Sequence, residues 1–408
     1  MTLLRSINIG DSPNLDAFDR LRVSEPTAFF DSKMTCGILG TRWIQDTASN
    51  GTVTAAHECA AILACTADSG SSAILQTKQR GIYQSGRSLL SILTFNLGVA
   101  GNGTANIRKR VGMFDENDGV YLEQNGTDVR LVLRTNTTAT PSDANYVTKD
   151  NWNLDKMDGT GKSSITLDFT KPQILIMDLE WLGVGRVRVG FVYRGMIYYC
   201  HEFRNTNESI LVPYMSNPNL PCRYECVQTA SSGTGSLLAV CCTILSEGGF
   251  DDIGRLAAAS TGVTGRSLGA VRDEVMSIRL GTTFIRKGML QPVSISVLQP
   301  GNQAFFWELV RNPTLTGTVD QGTWIGETDS IAEYNITRTG TTAATGGNAV
   351  ASGFVSTALD SFQSNLNAAI PVGMLDLTPT SDILSLLVTT ANASDQTYYA
   401  SLGWRELR

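Results

Sequence analysis

The chain has 408 residues, 42% of them hydrophobic and 17% charged. It exceeds the ~250–300 residues that a single core usually serves, so two domains are expected. The apolar content and the modest net charge of −6 exclude a largely disordered chain. They also exclude diffuse nucleic-acid binding, which needs a basic field to release counterions.

Residues 1–35 read as an N-terminal arm. The opening "MTLLRSINIGDSPNLD" has neither the apolar segment nor the cleavage site of a secretory leader. In "DSPNLDAFDRLRVSEPTAFFDSK" proline, charges and phenylalanines follow no period. Phe18, Leu21, Val23, Phe29 and Phe30 are too apolar to stay in water together. With Arg22 they make a docking arm that lies along its own body or a neighbour's.

From 36 to 248 the pattern is β. His57, in "AAHECAAILAC", reads as a packed histidine. "NIRKRV" (106–111) is basic but short, and reads as a solvated strand face rather than a phosphate clamp. In "RVGMFDENDGVYLEQNGTDVRLVLRT" (110–135), Asp118-Gly119 and Asn125-Gly126 are turn dipeptides between alternating runs, giving an antiparallel meander. "DENDG" (115–119) lacks the spacing of a calcium loop, since glycine stands fifth and glycine, not glutamate, twelfth. "DGTGKSS" (158–164) resembles the end of a phosphate-cradling loop. The "SITLDFT" that follows alternates as a strand, where that loop requires a helix.

"DLEWLGVGRVRVGFVYRGMIYYCHEF" (178–203) is the stretch richest in candidate chemistry. Val187, Val189 and Phe191 share one strand face, and Arg186 and Arg188 the other. Arg194-Gly195 makes the turn. Asp178 and Glu180 are two apart, so they share a face and come near the ~5–5.5 Å that retaining glycosidases use. With Trp181 beside them they form the low-ranked catalytic pair, against a structural reading in which the acids pair across strands with the arginines. Cys222 and Cys226, with His201, are the low-ranked metal candidates, because thiolate and imidazole are tetrahedral zinc ligands. The spacing is loose, and buried structural thiols are the simpler reading of the eight cysteines, in a chain made in a reducing cytoplasm. Two histidines and no GxSxG leave no motif for a serine triad.

Residues 249–289, "GGFDDIGRLAAASTGVTGRSLGAVRDEVMSIRL" in the main, carry the best helical hints and read as a linker with short helical turns. The second β segment, 290–408, opens with "VSISVL", where Val293, Ile295 and Val297 share a face. "AFFWELVRNP" is expected to pair with it across "QPGNQ". Residues 339–353 read as a loop or sheet edge. "DILSLLVTT" and "TYYASLGWRELR" read as a closing hairpin.

The expected architecture is mainly β: two antiparallel β-sandwich, jelly-roll-like domains (36–248 and a smaller 290–408) behind the extended arm. No cofactor is expected, and no ~20-residue apolar run exists to enter a membrane.

Several phrases carry a resemblance that covers most of the chain: "AFDRLRVSEPTAFFDSK", "NIRKRVGMFDENDGVYLE", the long run from "WNLDKMDGTGKSS" through "MIYYCHEF", "YMSNPNLPCRYE" and "SLGWRELR". They resemble uncharacterised virion structural proteins of tailed bacteriophages of aquatic, cyanophage-like type. The resemblance implies a non-enzymatic particle subunit located in the virion: a fibre, spike or anchoring piece, or else a capsid decoration or shell protein. Its implied partners are copies of itself, with a trimer favoured, and other virion proteins, with host-surface glycan as a further candidate. It brings no catalytic residues. The competing class is a glycan-binding or glycan-cleaving sandwich built on Asp178, Glu180 and Trp181.

Overall fold

In the computed structural model the described residues are 14–408, apart from 19, 23–25, 57–58, 99–102, 209, 232, 252, 270, 302, 317–321, 338–342, 356–361, 367–370 and 391–395, with backbone alone at 362–365. His57 and Val23 fall outside them. The chain divides into two compact units, Met1–Asp251 and Asp252–Arg408.

The first unit contains β1 (Thr27–Lys33), β2 (Trp43–Ala48), β3 (Thr52–Ala56), β4 (Ala60–Cys65), β5 (Ser72–Thr77), β6 (Ser88–Asn96), β7 (Ile107–Phe114) and β8 (Gly119–Asn125). It continues with β9 (Asp128–Arg134), β10 (Tyr146–Thr148), β11 (Gln173–Leu179), β12 (Val187–Tyr193), β13 (Met196–Phe203), β14 (Cys222–Gln228) and β15 (Gly235–Glu247). An eight-stranded sheet runs β13-β12-β11-β6-β15-β4-β3, with β1 also on β15, and a seven-stranded sheet runs β10-β9-β8-β7-β14-β5-β2. The chain passes from one sheet to the other at β4–β5–β6–β7 and again at β13–β14–β15, and every pairing is antiparallel. This is a β-sandwich with jelly-roll crossovers.

Period-2 alternation builds its core. Leu175, Met177 and Leu179 of β11, Val187, Val189 and Phe191 of β12, and Val111 and Met113 of β7 all join one buried cluster between the sheets. The β7–β8–β9 meander forms as its turn dipeptides imply. At the β12–β13 hairpin Arg194 and Gly195 take φ of 50° and 80°, the left-handed pair of a tight I′ connection.

Two expectations fail here. "SITLDFT" joins no ladder, only the isolated bridge Asp158–Thr166. Ile165, Leu167 and Phe169 are buried nonetheless, so the alternation reports burial without a strand partner. The "NIRKRV" face is not solvated either: Lys109 is 1% and Arg110 4% exposed.

The second unit contains β16 (Arg255–Ser260), β17 (Arg266–Leu268), β18 (Asp273–Leu280), β19 (Met289–Leu298), β20 (Phe305–Arg311), β21 (Thr314–Thr316) and β22 (Ile325–Gly326). It closes with β23 (Ala332–Asn335), β24 (Ala343–Thr345), β25 (Asn348–Val355), β26 (Phe362–Asn365), β27 (Ile383–Thr390) and β28 (Gln396–Leu407). A five-stranded sheet, β16-β28-β19-β26 with β17 on β28, accompanies a six-stranded sheet, β22-β23-β18-β27-β20-β25. Cross-sheet aromatic pairs tie them, Phe305 with Tyr398 at 5.2 Å and Tyr334 with Trp404 at 6.5 Å.

The expected 249–289 linker instead carries three strands, β16, β17 and β18. Leu256–Ala259 pairs with β28, and a 3-10 segment follows at Gly262–Thr264. Small side chains suit a helix, but they equally suit a strand packed close to another layer. Both expected hairpins of this unit are overturned as well. β19 pairs with β26 and β28 while β20 pairs with β25 and β27, and β27 and β28 lie in different sheets. In both cases strands consecutive in the chain thus fall in opposite sheets. A register shift between Pro292 and Ser294 takes Val293 out of the Ile295–Val297 face. No helix among the described residues is long and apolar enough to cross a membrane.

Candidate functional site: a closed carboxylate beneath the N-terminal arm

The acid–arginine stretch lies on the outer face of the eight-stranded sheet. Alternation sends Leu175, Met177 and Leu179 inward, leaving Ile176 and Asp178 outward. Asp178 registers with Arg188 on β12, and Ser88 on β6 with Glu247 on β15. Tyr199 of β13 completes a polar row across five adjacent strands.

The arm closes over this row. Leu15 and Leu21 bridge in a small loop, and Arg22 Nη2 donates to Asp178 Oδ2 at 2.6 Å and to the Tyr199 hydroxyl at 3.1 Å. Its Nε lies 2.6 Å from Glu247 Oε1. Arg188 Nη2 donates to the same Asp178 oxygen at 2.5 Å and to the Leu15 carbonyl at 2.8 Å, so it holds acid and arm together. Ser88 Oγ donates to Asp178 Oδ1 at 2.5 Å, and the Tyr199 hydroxyl donates to Oδ2 at 3.0 Å. The Arg188 guanidinium stacks 4.3 Å over the Tyr199 ring.

Asp178 and Arg188 are both 0% exposed. Burial pushes the Tyr199 hydroxyl well above its ordinary range, and the Asp178 charge adds to the rise. Burial also raises Glu247, again with Asp178 adding, against the opposing pull of Arg22. The acid is thus a sealed structural anchor. Reaching it requires lifting the arm.

Glu180 does not join it. One residue past β11, its N–H donates to the Arg186 carbonyl at 2.9 Å, and its Oε2 accepts from the Arg186 N–H at 3.4 Å. It braces the 181–185 turn, where a Cβ on Gly185 would meet the Glu180 carbonyl oxygen at 2.1 Å. Trp181 donates its Nε1–H to the Met215 carbonyl at 3.2 Å and packs edge-on against Tyr83 at 5.7 Å. The proposed acid pair with a tryptophan platform is therefore split among a buried anchor, a turn brace and a packed ring.

The remaining arm residues divide similarly. Phe30 is in the core, edge-on to Trp43 at 5.8 Å. Phe29 meets Phe250 edge-on at 4.8 Å, and Phe18 lies 4.8 Å beneath the Arg20 guanidinium. Leu21 is 57% exposed at the rim of a 270 Å³ cavity between arm and sheet, lined by Arg22, Pro26, Leu90, Ile92, Ile176 and Ile197 among others.

The metal candidates do not converge. Cys222 and Cys226 face the core from β14 of the seven-stranded sheet, while His201 stands on β13, at the edge of the other sheet. His201 Nδ1 accepts from the Asn153 N–H at 3.3 Å, and burial lowers its pKa to about 4. Among the described residues no cluster of His, Cys, Asp and Glu could hold a metal ion.

A second polar layer covers the outer face of the seven-stranded sheet. Arg110 reaches Glu123 at 2.7 Å, Glu225 at 3.2 Å and Asp143 at 3.3 Å. Arg134 grips both oxygens of Asp143, at 2.7 and 2.9 Å. That grip outweighs burial and draws the Asp143 carboxyl down to about 2. Arg110 and Arg134 flank the Tyr121 ring. Asp115 and Asp118 of "DENDG" are occupied too: Arg80 Nη1 lies 2.9 Å from Asp115, and Ser216 Oγ donates to Asp118 at 2.5 Å. A more open feature is a 720 Å³ cleft lined by Gln124, Asp128, Val129, Thr148, Lys149, Asp150, Thr166 and Asp168, with Leu167 and Phe169 also on its wall.

No protein-family model matches this chain, and no curated protein does. Solved structures that resemble it include an endo-β-1,4-glucuronan lyase from the fungus Trichoderma reesei, at 12% identity and TM-score 0.37 over 53% of this chain and 95% of that one. An endo-1,3-β-glucanase from Streptomyces sioyaensis gives 11% and 0.38 over 55% and 97%. The carbohydrate recognition domain of Emp47p gives 12% and 0.33 over 54% and 97%. At such identities and scores the likeness assigns this chain neither a family nor an activity.

Proposed function

We propose that this chain is a structural subunit of a tailed-phage virion that assembles with copies of itself, an appendage or its anchoring piece before a shell or decoration protein. The observation that carries the reading is an apolar surface made by two tied loops of the first unit. Leu182, Val184, Leu211 and Val212 are 48%, 39%, 98% and 51% exposed. The loops are joined by Thr206 Oγ1 donating to the Val184 carbonyl at 2.8 Å and the Tyr214 N–H to the Gly183 carbonyl at 2.9 Å. Grouped exposed aliphatics on a hydrogen-bonded scaffold favour association, and symmetric self-association is the usual outcome. The phrase-level resemblance to phage particle proteins and the internally paired acids support the same reading, which assigns no catalytic residue.

Light scattering on the purified chain tests it, with a closed oligomer expected. Leu15, Ala17, Arg20 and Arg22 are tied to the body of the first unit, so the docking role is proposed for residues 1–13. Deleting those thirteen spares the Arg22 clamp, so lost particle incorporation would report docking rather than unfolding. A stable monomer that never appears in purified virions would end the reading.

The 720 Å³ cleft supports a second reading, a glycan site. Its hydroxyl, amide and carboxylate groups suit sugar hydroxyls. Titration with host-surface polysaccharide should show binding that Asp150→Ala, an exposed residue of the cleft wall, weakens. No binding across a panel removes it.

A further inference from the structure

β25 (Asn348–Val355) is an edge strand of the six-stranded sheet, paired to β20 alone among the described residues. No further backbone hydrogen bond among them reaches residues 348–355. In an antiparallel strand the N–H and C=O groups of alternate residues point to opposite sides, so one row of them on β25 faces away from β20. Other edges are short, charged or covered. β3, β10, β22 and β26 are only two to five residues long, and β2 carries Asp46 and β16 Arg255. At β13 the Leu154 and Asp155 N–H groups both donate to the Cys200 carbonyl at 3.1 Å.

β25 has eight residues and no charge, and no charged residue occurs anywhere in 339–359 of the sequence. Natural sheets guard long edges with lysine, proline or an inward charge, and β25 has none of these. Its one irregularity is a bulge: Leu309 registers with Ala351 and Val310 with Ala349, so Val350 is passed over. Residues 351–355 form the regular run beyond it. Gly353 and Val355 turn toward the core, where a Cβ on Gly353 would meet Trp307 Nε1 at 2.9 Å and Val355 is buried. Ser352 and Phe354 face outward. Phe354 is 80% exposed and rests on Phe306, with ring centroids 4.7 Å apart.

We propose that β25 is a docking edge for β25 of a second copy, the two strands pairing antiparallel about a two-fold axis. A row of extended backbone groups is recognised by another extended strand, whose N–H and C=O groups complete the ladder. The uncharged sequence selects the partner. It offers an acidic or a basic segment no counter-charge, whereas its own copy meets it without like charges in any register. A two-fold contact is isologous, so each copy supplies and accepts the same residues. The exposed Phe354 ring beside the edge gains cover from the incoming strand. Two six-stranded sheets become one continuous sheet. This inference rests on the self-assembly reading and adds to it a contact on the second unit, distinct from the loops that carry Leu182 and Leu211.

Amide hydrogen exchange of the full chain, read by mass spectrometry across a concentration series with light scattering in parallel, tests the contact. The outward amides within 351–355 should exchange roughly tenfold slower in the associated protein than in the dilute one. Ser352→Lys puts like charges at an exposed position of both copies and should abolish that slowing with the melting temperature unchanged. Phe354→Asp should do the same. Ala258→Lys, exposed on β16 of the same unit, should leave the slowing intact. Association in which residues 351–355 exchange at one rate at every concentration, or a slowing that survives both Ser352→Lys and Phe354→Asp, would overturn the edge contact and leave the self-assembly reading standing. A chain that stays monomeric at every concentration would overturn both.

Discussion

The Asp178 site shows how completely a buried ion network depends on each member. Removing one partner of a fully enclosed pair leaves an uncompensated charge, which costs about 3–5 kcal/mol. Arg188→Met should destabilise the first unit by that amount in urea unfolding. The double change Asp178→Leu with Arg188→Met should recover much of it, because Arg22 keeps Glu247. Equal losses in the single and double variants would contradict the network. His201 makes a pH-dependent contribution of defined sign. Its folded pKa of about 4 lies below the ~6.5 of an unfolded histidine. As pH falls from about 6.5 to 4 the unfolded chain gains a proton that the folded one refuses, so stability is lost through that window. The loss is on the order of 2 kcal/mol after discounting for solvent screening. His201→Gln should flatten that part of the stability curve, measured by denaturant midpoints. The residue types at both sites are visible in the sequence. That Asp178 is closed while Glu180 merely braces a turn is not, because spacing two apart says they share a face and says nothing of what covers it.

Strand periodicity carried the elements well and the pairings poorly. The 110–135 meander and the Arg194-Gly195 hairpin follow from turn dipeptides, whose backbone requirements are local. The β19–β20 and β27–β28 hairpins do not form, because alternation reports a buried face without naming the neighbouring strand, and a short connection can equally bridge two sheets. Residues 255–260 misled in another way: a run of alanines has good helix propensity, and a long-range partner, β28, overrode it. This makes a discriminating experiment. Ala259 is buried and Ala258 exposed. Ala259→Asp should lower the stability of the second unit by a few kcal/mol, through a buried unpaired charge, while Ala258→Asp stays within about 0.5 kcal/mol. A linker would tolerate both equally.

For the whole molecule, the self-association reading rests on surface that no period in the sequence marks. Leu182 and Val184 come from one loop and Leu211 and Val212 from another, and only the hydrogen bonds between those loops bring them together. Changing Leu211 and Val212 to aspartate should weaken self-association roughly tenfold or more, since central apolar contacts carry most interface energy. Sedimentation or light scattering across concentrations reads this out, while the melting temperature of the first unit should hold. An unchanged oligomer would move the interface elsewhere.

The sequence by itself determined the class of architecture, the alternating faces, the tight turns and the absence of a recognisable reactive motif, because each of these is written in neighbouring residues. Tertiary structure alone decided which strands pair and that the arm's Arg22 closes over Asp178. Those contacts depend on which distant segments share a layer, and chain topology sets that where local preference cannot.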